Sequence, residues 1–274
     1  MTAPPPRLRF RGSAAPFSAA LGLIGGLYVG LIAAMLIADL AHTSPEHVLR
    51  ALESPPIRSA IGLSLLTCSL AAILSVWVAV PLGYLLARTR FPGKALVDLL
   101  VDVPIVLPPL VVGLSLLILF QTPPGLAIQR AVTVTYAIPA VVLAQFAVSA
   151  AFAVRTMRVT FEQLSPRTEA VAMTLGCSRG RAFWLVSLPE ARRGVLTAFT
   201  LAWARSLGEF GPILIFAGAT RMKTEVLSTT VYLELSIGNL EAALAVSALM
   251  IGVAVAVLAV TRAFGLRGAG REVA

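Results

Sequence analysis

Charged side chains are scarce in this chain: 13% of its 274 residues, against about a quarter in an ordinary soluble domain. Apolar residues make up 58%, and the mean hydropathy is +0.89. That balance excludes a soluble globular domain. Cysteine is limited to Cys68, inside an apolar run, and Cys177, inside a basic segment. No disulfide is expected between such positions. Histidine is limited to His42 and His47, without a Cys, Asp or Glu array at ligand spacing, so no metal site is expected. The chain has no G-x-x-x-x-G-K-[ST] and no H-E-x-x-H. It lacks the means to bind ATP through a P-loop, and neither enzymatic chemistry nor a cofactor of its own is expected.

What the sequence has instead is six apolar runs: Phe17 to Leu40, Ala60 to Leu86, Leu96 to Phe120, Tyr136 to Val154, Val195 to Phe216 and Leu240 to Val260. Each approaches or exceeds the ~20 residues that cross a hydrocarbon core of roughly 30 Å. A backbone in lipid must satisfy its own hydrogen bonds, so all six are expected to be helices. The stretch MTAPPPRLRFRGSAAP is basic, like a signal-peptide n-region. The apolar run after it is too long for an h-region and no A-x-A site follows, so an uncleaved first span is expected.

Lys and Arg fall unevenly between alternate loops. One set holds Arg7, Arg9, Arg11, Arg88, Arg90, Lys94, Arg155, Arg158, Arg167, Arg179, Arg181, Arg192, Arg193, Arg262, Arg267 and Arg271. The other holds Arg50, Arg58, Arg130, Arg221 and Lys223. Cytoplasmic loops carry the excess, so both termini are expected in the cytoplasm of a multi-pass cell-membrane protein. The net charge of +9 then reflects topology and gives no sign of a nucleic-acid groove. The expected organisation is a tail over 1–16, a membrane domain over 17–263 and a tail over 264–274. A cytoplasmic loop is expected over 155–193.

That loop contains SPRTEAVAMTLGCSRGRAFWLVSLPE, with its own helix signals. Ser165 suits an N-cap and Pro166 the first helical position. Gly176 suits the left-handed position that ends a helix. Ser178 can cap a second helix on which Ala182, Phe183 and Val186 share a face, and Pro189 ends it or bends the chain. The spacing predicts a hairpin of two short helices. Val171, Thr174, Leu175, Phe183, Trp184 and Val186 would face the cytosol on it, and helices this short are marginal in water unless something packs on them. A cytoplasmic partner is expected to cover them.

Two spans carry unusual residues. Arg205 and Glu209 are four apart near the middle of the fifth run, where an unpaired charge costs a few kcal/mol. They read either as a structural ion pair or as part of a transport route or its gate. Gly208 and Gly211 are expected to allow close helix approach. Pro104, Pro108 and Pro109 should kink the third run. Asp98 and Asp102 are expected to balance Arg90 and Lys94. On the external side, TRMKTEVLSTTVYLELSIGN is long enough for a re-entrant turn or a short helix.

The run EAVAMTLGCSRGRAFWLVSLP resembles the EAA loop of ATP-binding-cassette (ABC) importer permeases, with Gly176, Leu188 and Pro189 matching directly and Ala170 and Ala172 in its small-residue zone. It departs in one respect: Glu169 lies seven residues before the glycine, where six is usual. VPIVLPPLVVGLSLLILF and LAWARSLGEFGPILIFAG are similar to the molybdate/tungstate branch, with sulfate permeases close by. The likeness covers roughly 60–261. It implies the type I ABC importer permease fold: an all-α integral membrane protein of six transmembrane helices with a coupling-helix hairpin. It further implies a homodimer, two ATPase subunits that bind ATP and Mg, and an external solute-binding protein. Coupling would involve Glu169, Ala170, Ala172, Gly176, Phe183, Leu188 and Pro189. A pathway or gate would involve Pro108, Pro109, Arg205, Ser206 and Glu209. The alternatives are a permease for sulfate or another small anion, and an ATP-independent secondary transporter.

Overall fold

The structure, a computed structural model, describes residues 15–267, so most of the two expected tails lies outside the described residues. All its regular elements are helices. In chain order they are α1 (Ala15–His42), α2 (Pro45–Glu53), α3 (Pro55–Arg88), α4 (Lys94–Val106), α5 (Pro109–Leu119), α6 (Pro123–Ala131) and α7 (Ile138–Gln163). Then follow α8 (Pro166–Thr174), α9 (Arg179–Ala182), a π-helical turn (Phe183–Ser187), α10 (Leu188–Glu190), α11 (Arg192–Leu207), α12 (Gly211–Phe216), α13 (Leu227–Ser236) and α14 (Leu240–Arg267).

Four of the expected spans are single helices long and apolar enough to cross a membrane: α1, α3, α7 and α14. α3 and α7 form the centre of the fold, and small residues let their backbones close up. A β-carbon on Gly83 of α3 would lie 2.8 Å from Met157 Cβ of α7. The seam between them is alanine-rich, with Ala71, Ala72, Ala79, Ala140, Ala144 and Ala153 fully buried. Two of its polar side chains pair with each other, Ser75 with Ser149 at 2.9 Å. α11 packs on the same pair, its Trp203 Nε1 donating to Ser69 Oγ of α3 at 3.2 Å. α1 stands apart with its side chains exposed along most of its length, as a lipid-facing helix would be.

The third and fifth runs are helical but broken. α4 and α5 meet at 116°, so Leu96 to Phe120 is a sharply broken pair of helices and not one kinked helix. Pro108 and Pro109 lack backbone donors and cannot continue α4. Beyond the break, α4 is tied to α7: Asp102 accepts from Arg155 at 3.1 Å, and Asp98 pairs with Arg158. These two carboxylates therefore balance α7 arginines and not Arg90 and Lys94. In the fifth run α11 ends at Leu207 and α12 begins at Gly211.

After α12 the chain turns at Gly218 (φ +72°) and comes back towards the break. Ser228 Oγ, at the start of α13, donates to Glu209 O at 2.7 Å, and Leu227 N donates to Ser64 Oγ of α3 at 2.8 Å. The segment expected to hold a re-entrant turn or a short helix thus folds back on the break and contains the short helix α13.

Candidate functional site

The hairpin forms as its local sequence dictates. Ser165 Oγ accepts from Arg167 N at 3.3 Å and Ser178 Oγ from Arg181 N at 3.4 Å, capping the two helices. Between them Gly176 has φ +92°. Its N–H bonds Met173 O at 3.0 Å, and Cys177 N–H bonds Ala172 O at 3.1 Å. This pair of bonds is a Schellman stop, and it requires the left-handed residue that only glycine adopts without strain. Ala172, half-buried, supplies one of its carbonyls, while Ala170 is exposed.

The second arm passes through the π-turn before Pro189. Leu188 N–H reaches back five residues to Phe183 O, and the wider turn gives room for a proline ring that an α-helix would clash with. Phe183 and Ser187 face inwards. Phe183 was expected to face the cytosol, but its ring packs edge-on against Tyr84 of α3, with centroids 4.7 Å apart, and beside Phe161 of α7 at 6.2 Å. Val186 is half-buried as well. The apolar side chains that do project outwards are Val171, Met173, Leu175 (81% exposed), Trp184 (66%) and Leu185. Leu188 is half-buried and Pro189 exposed.

Glu169 points away from this outward face. It is 7% exposed, Tyr84 Oη donates to its Oε1, and Ser187 Oγ donates to its Oε2 at 3.1 Å. At the base of the hairpin, Arg88 Nη2 donates to Leu164 O at 2.7 Å, where α7 ends. The hairpin is therefore anchored to α3 at two points and presents its apolar ridge away from the helices.

Gly176-Cys177-Ser178-Arg179-Gly180 also spells G-x-S-x-G, the letters of a hydrolase nucleophile elbow, although no hydrolase chemistry is expected of the chain. The structural context of an elbow is missing. Ser178 lies between two helices with its hydroxyl used as a cap, and both histidines sit at the α1–α2 turn, at the opposite end of α3.

The two helix breaks meet each other. A β-carbon on Gly211 would lie 3.1 Å from both Pro109 Cβ and Leu110 N, and one on Gly113 would lie 2.7 Å from Pro212 Cα. Pro108 and Pro109 are thereby brought to the break that follows Arg205 and Ser206. Gly208 does not share this role: the nearest atom to a β-carbon there is its own turn's Arg205 O at 3.9 Å. Arg205 Nη1 lies 2.6 Å from Glu209 Oε1, across the end of α11. Glu209 is 1% exposed and Arg205 31%, with the guanidinium 5.7 Å above the Phe152 ring. Ser206 is fully buried, and its carbonyl accepts from Gln145 Nε2 at 3.3 Å and from Glu209 N at 3.2 Å. Between this pair and the hairpin, a groove of about 560 Å³ runs between α7 and α11, lined by Arg155, Thr156, Thr160, Arg193 and Thr197 among others.

Residues 79–267, which carry the facing helix breaks and the anchored hairpin, match the family of binding-protein-dependent transport system inner membrane components. The chain belongs to that family. It is 39% identical over 199 residues to the molybdate/tungstate transport system permease protein WtpB of Thermococcus kodakarensis, covering 73% of this chain and 76% of that one. It is 32% identical over 226 residues to the sulfate transport system permease protein CysT of Escherichia coli, covering 81% and 82%. Its fold is similar to that of a chain in the crystal structure of a bacterial alginate ABC transporter in complex with an alginate pentasaccharide-bound periplasmic protein. That likeness has a TM-score of 0.72 at 16% identity and covers 92% and 94% of the two chains. The architecture is the type I ABC importer permease fold.

Within this permease the sequence reading missed Tyr84, Ser187 and Gln145. Tyr84 and Gln145 sit in apolar runs, and each finds its partner more than sixty residues away. A single sequence carries no local signal for such pairs. The polar residue itself, inside an apolar run, was the available hint.

Proposed function

We propose that this chain is the membrane subunit of an ABC importer that carries an oxyanion, molybdate or tungstate, handed over by an external solute-binding protein. The permease works as a homodimer with both termini in the cytoplasm. The hairpin docks into a separate ATPase subunit, which binds ATP and Mg and performs the hydrolysis. The observation that carries this reading is the hairpin: five apolar side chains held outwards on a base that hydrogen bonds and aromatic contacts anchor to α3 and α7. Covering them would release roughly 1.5–3 kcal/mol for each fully buried side chain, enough for a specific docking surface.

The transport route in this reading passes the two breaks. Non-helical backbone at membrane depth persists where it is packed in protein or lines a cavity, and α13 together with the facing prolines packs one side of it. Arg205, paired with Glu209 and open on its outer edge, offers an anion attraction without a deep trap. The α7–α11 groove continues towards the cytoplasm with Arg155, Arg193 and three threonines. ATP-driven closure of the ATPase subunits brings the two hairpins together and rocks the helices between outward and inward openings. Sulfate is the second reading, supported by the likeness to a sulfate permease over four-fifths of both chains.

The test is uptake of labelled molybdate and sulfate into proteoliposomes holding the permease, its ATPase and its binding protein. Saturable molybdate uptake that needs ATP is expected. Sulfate uptake in its place would replace the substrate, and uptake without the ATPase would overturn the ABC reading.

A further inference from the structure

Glu169 is the acidic residue that the loop resemblance implies in coupling, yet its carboxylate is turned inwards and both oxygens are engaged. We infer that Glu169, through the Tyr84 hydroxyl, is the positioning residue that passes movement of the hairpin to α3. This rests on the docking role proposed above.

Three elements converge on the Tyr84 side chain. Its ring lies edge-on to Phe161 of α7, with centroids 5.4 Å apart at 85°, and edge-on to Phe183 of the π-turn at 4.7 Å and 65°. Its hydroxyl reaches through this aromatic wall to Glu169 on α8. The other carboxylate oxygen takes Ser187 Oγ, on the second arm, at 3.1 Å. Both arms of the hairpin are thus joined to one another and to α3 by a single buried carboxylate. A charged acceptor makes stronger hydrogen bonds than a neutral one, and more so away from water. One turn further along α3, Arg88 holds Leu164 O at 2.7 Å, at the entry to the hairpin.

The hairpin therefore cannot swing as a free loop. A push on its apolar ridge displaces Glu169 and Ser187 together, and the load falls on the end of α3. That helix packs along α7, and through Ser69 it holds Trp203 of α11. Arg205 follows Trp203 by two residues on the same helix, so α3 connects the hairpin to the segment that carries the Arg205–Glu209 pair. Ser64, nearer the other end of α3, holds the start of α13, whose Ser228 grips Glu209 O. The same helix touches the hairpin at one end and the fifth-run break at the other.

The experiment uses the complete complex of permease, ATPase and binding protein in proteoliposomes, with Tyr84→Phe, Glu169→Gln and Glu169→Ala. Phenylalanine keeps the ring contacts and deletes the hydroxyl. Glutamine keeps an acceptor for Tyr84 and a donor for Ser187 while removing the charge. Tyr84→Phe and Glu169→Ala should retain the ATPase on co-purification and hydrolyse ATP, but move roughly tenfold less molybdate per ATP. Glu169→Gln should stay within about twofold of the unaltered protein, since its hydrogen bonds survive. If Glu169→Gln fails as badly as Glu169→Ala while Tyr84→Phe is normal, the charge acts on the partner and the inference is wrong. Loss of the ATPase from Tyr84→Phe would also overturn it, by making Tyr84 a support for the docking surface alone. If the unaltered permease neither retains nor stimulates the ATPase, the docking reading fails and takes this inference with it.

Discussion

Gly211 lies directly against Pro109: a β-carbon at 211 would stand 3.1 Å from Pro109 Cβ, so the broken fifth run and the broken third run pack break to break. The contact explains why neither interruption unravels the bundle. Each break supplies the surface that covers the other, which is the condition for irregular backbone at membrane depth.

Gly211→Val should therefore separate the two breaks. An overpacked contact of this kind costs roughly 1–3 kcal/mol, and the unfolding midpoint in detergent should fall by several degrees with loss of uptake. Gly208→Ala is the control, because the nearest atom to its added β-carbon is 3.9 Å away. Its midpoint should move by no more than a degree or two.

The Arg205–Glu209 pair should respond unequally to neutralisation. Glu209 is 1% exposed and Arg205 31%. Removing Arg205 strands a buried carboxylate, at a cost on the order of 3–5 kcal/mol, whereas an unpaired Arg205 still reaches the edge of the protein. Arg205→Gln should be the more destabilising single change, and the double variant with Glu209→Gln should recover most of the lost stability. Uptake by the double variant tells the two roles apart: with its stability recovered, uptake should remain low if Arg205 meets the anion, and should return if the pair is only structural.

Gly176→Val places a β-branched residue at φ +92°. The strain is on the order of 1–2 kcal/mol, and it falls on the hairpin turn, where nothing lies within 4 Å of the new side chain. The spans should keep their stability while ATPase retention falls about tenfold, measured by quantitative co-purification.

A pH effect is expected at the connection between α12 and α13, outside the spans. Burial pushes the Glu225 carboxyl above its ordinary value, partly offset by the Thr230 hydroxyl and the Arg221 guanidinium. A carboxyl raised in the folded state contributes stability that is present at low pH and is lost as pH rises through its folded value. Glu225→Gln should therefore leave the unfolding midpoint unchanged below the ordinary carboxylate range and raise it at neutral pH, flattening the profile.

The features legible in the sequence were those written in neighbouring residues. Ser165, Pro166, Gly176 and Ser178 mark caps and a stop within a few positions of the bonds they make, and the hairpin follows them closely. The four unbroken spans are equally local, being long apolar runs. The breaks were only half legible. Prolines announced an interruption at 108–109, but the 116° angle had no local mark, and Asp98 and Asp102 meet α7 arginines more than fifty residues away. Phe183 was placed on the wrong side because its face is set by Tyr84 and Phe161, on two other helices. Glu169 was found by its position in a motif, while its partner Tyr84 lies 85 residues earlier in an apolar run with nothing to mark it.

The central claim is that the hairpin's apolar ridge is the docking surface for an ATPase. The most direct measurement is the amount of ATPase that co-purifies with a Leu175→Asp, Trp184→Asp double variant, both positions being more than 60% exposed and outside the core. The account predicts a folded permease with an unaltered unfolding midpoint that has lost nearly all of its ATPase. Retention of the ATPase at the level of the unaltered protein would contradict it.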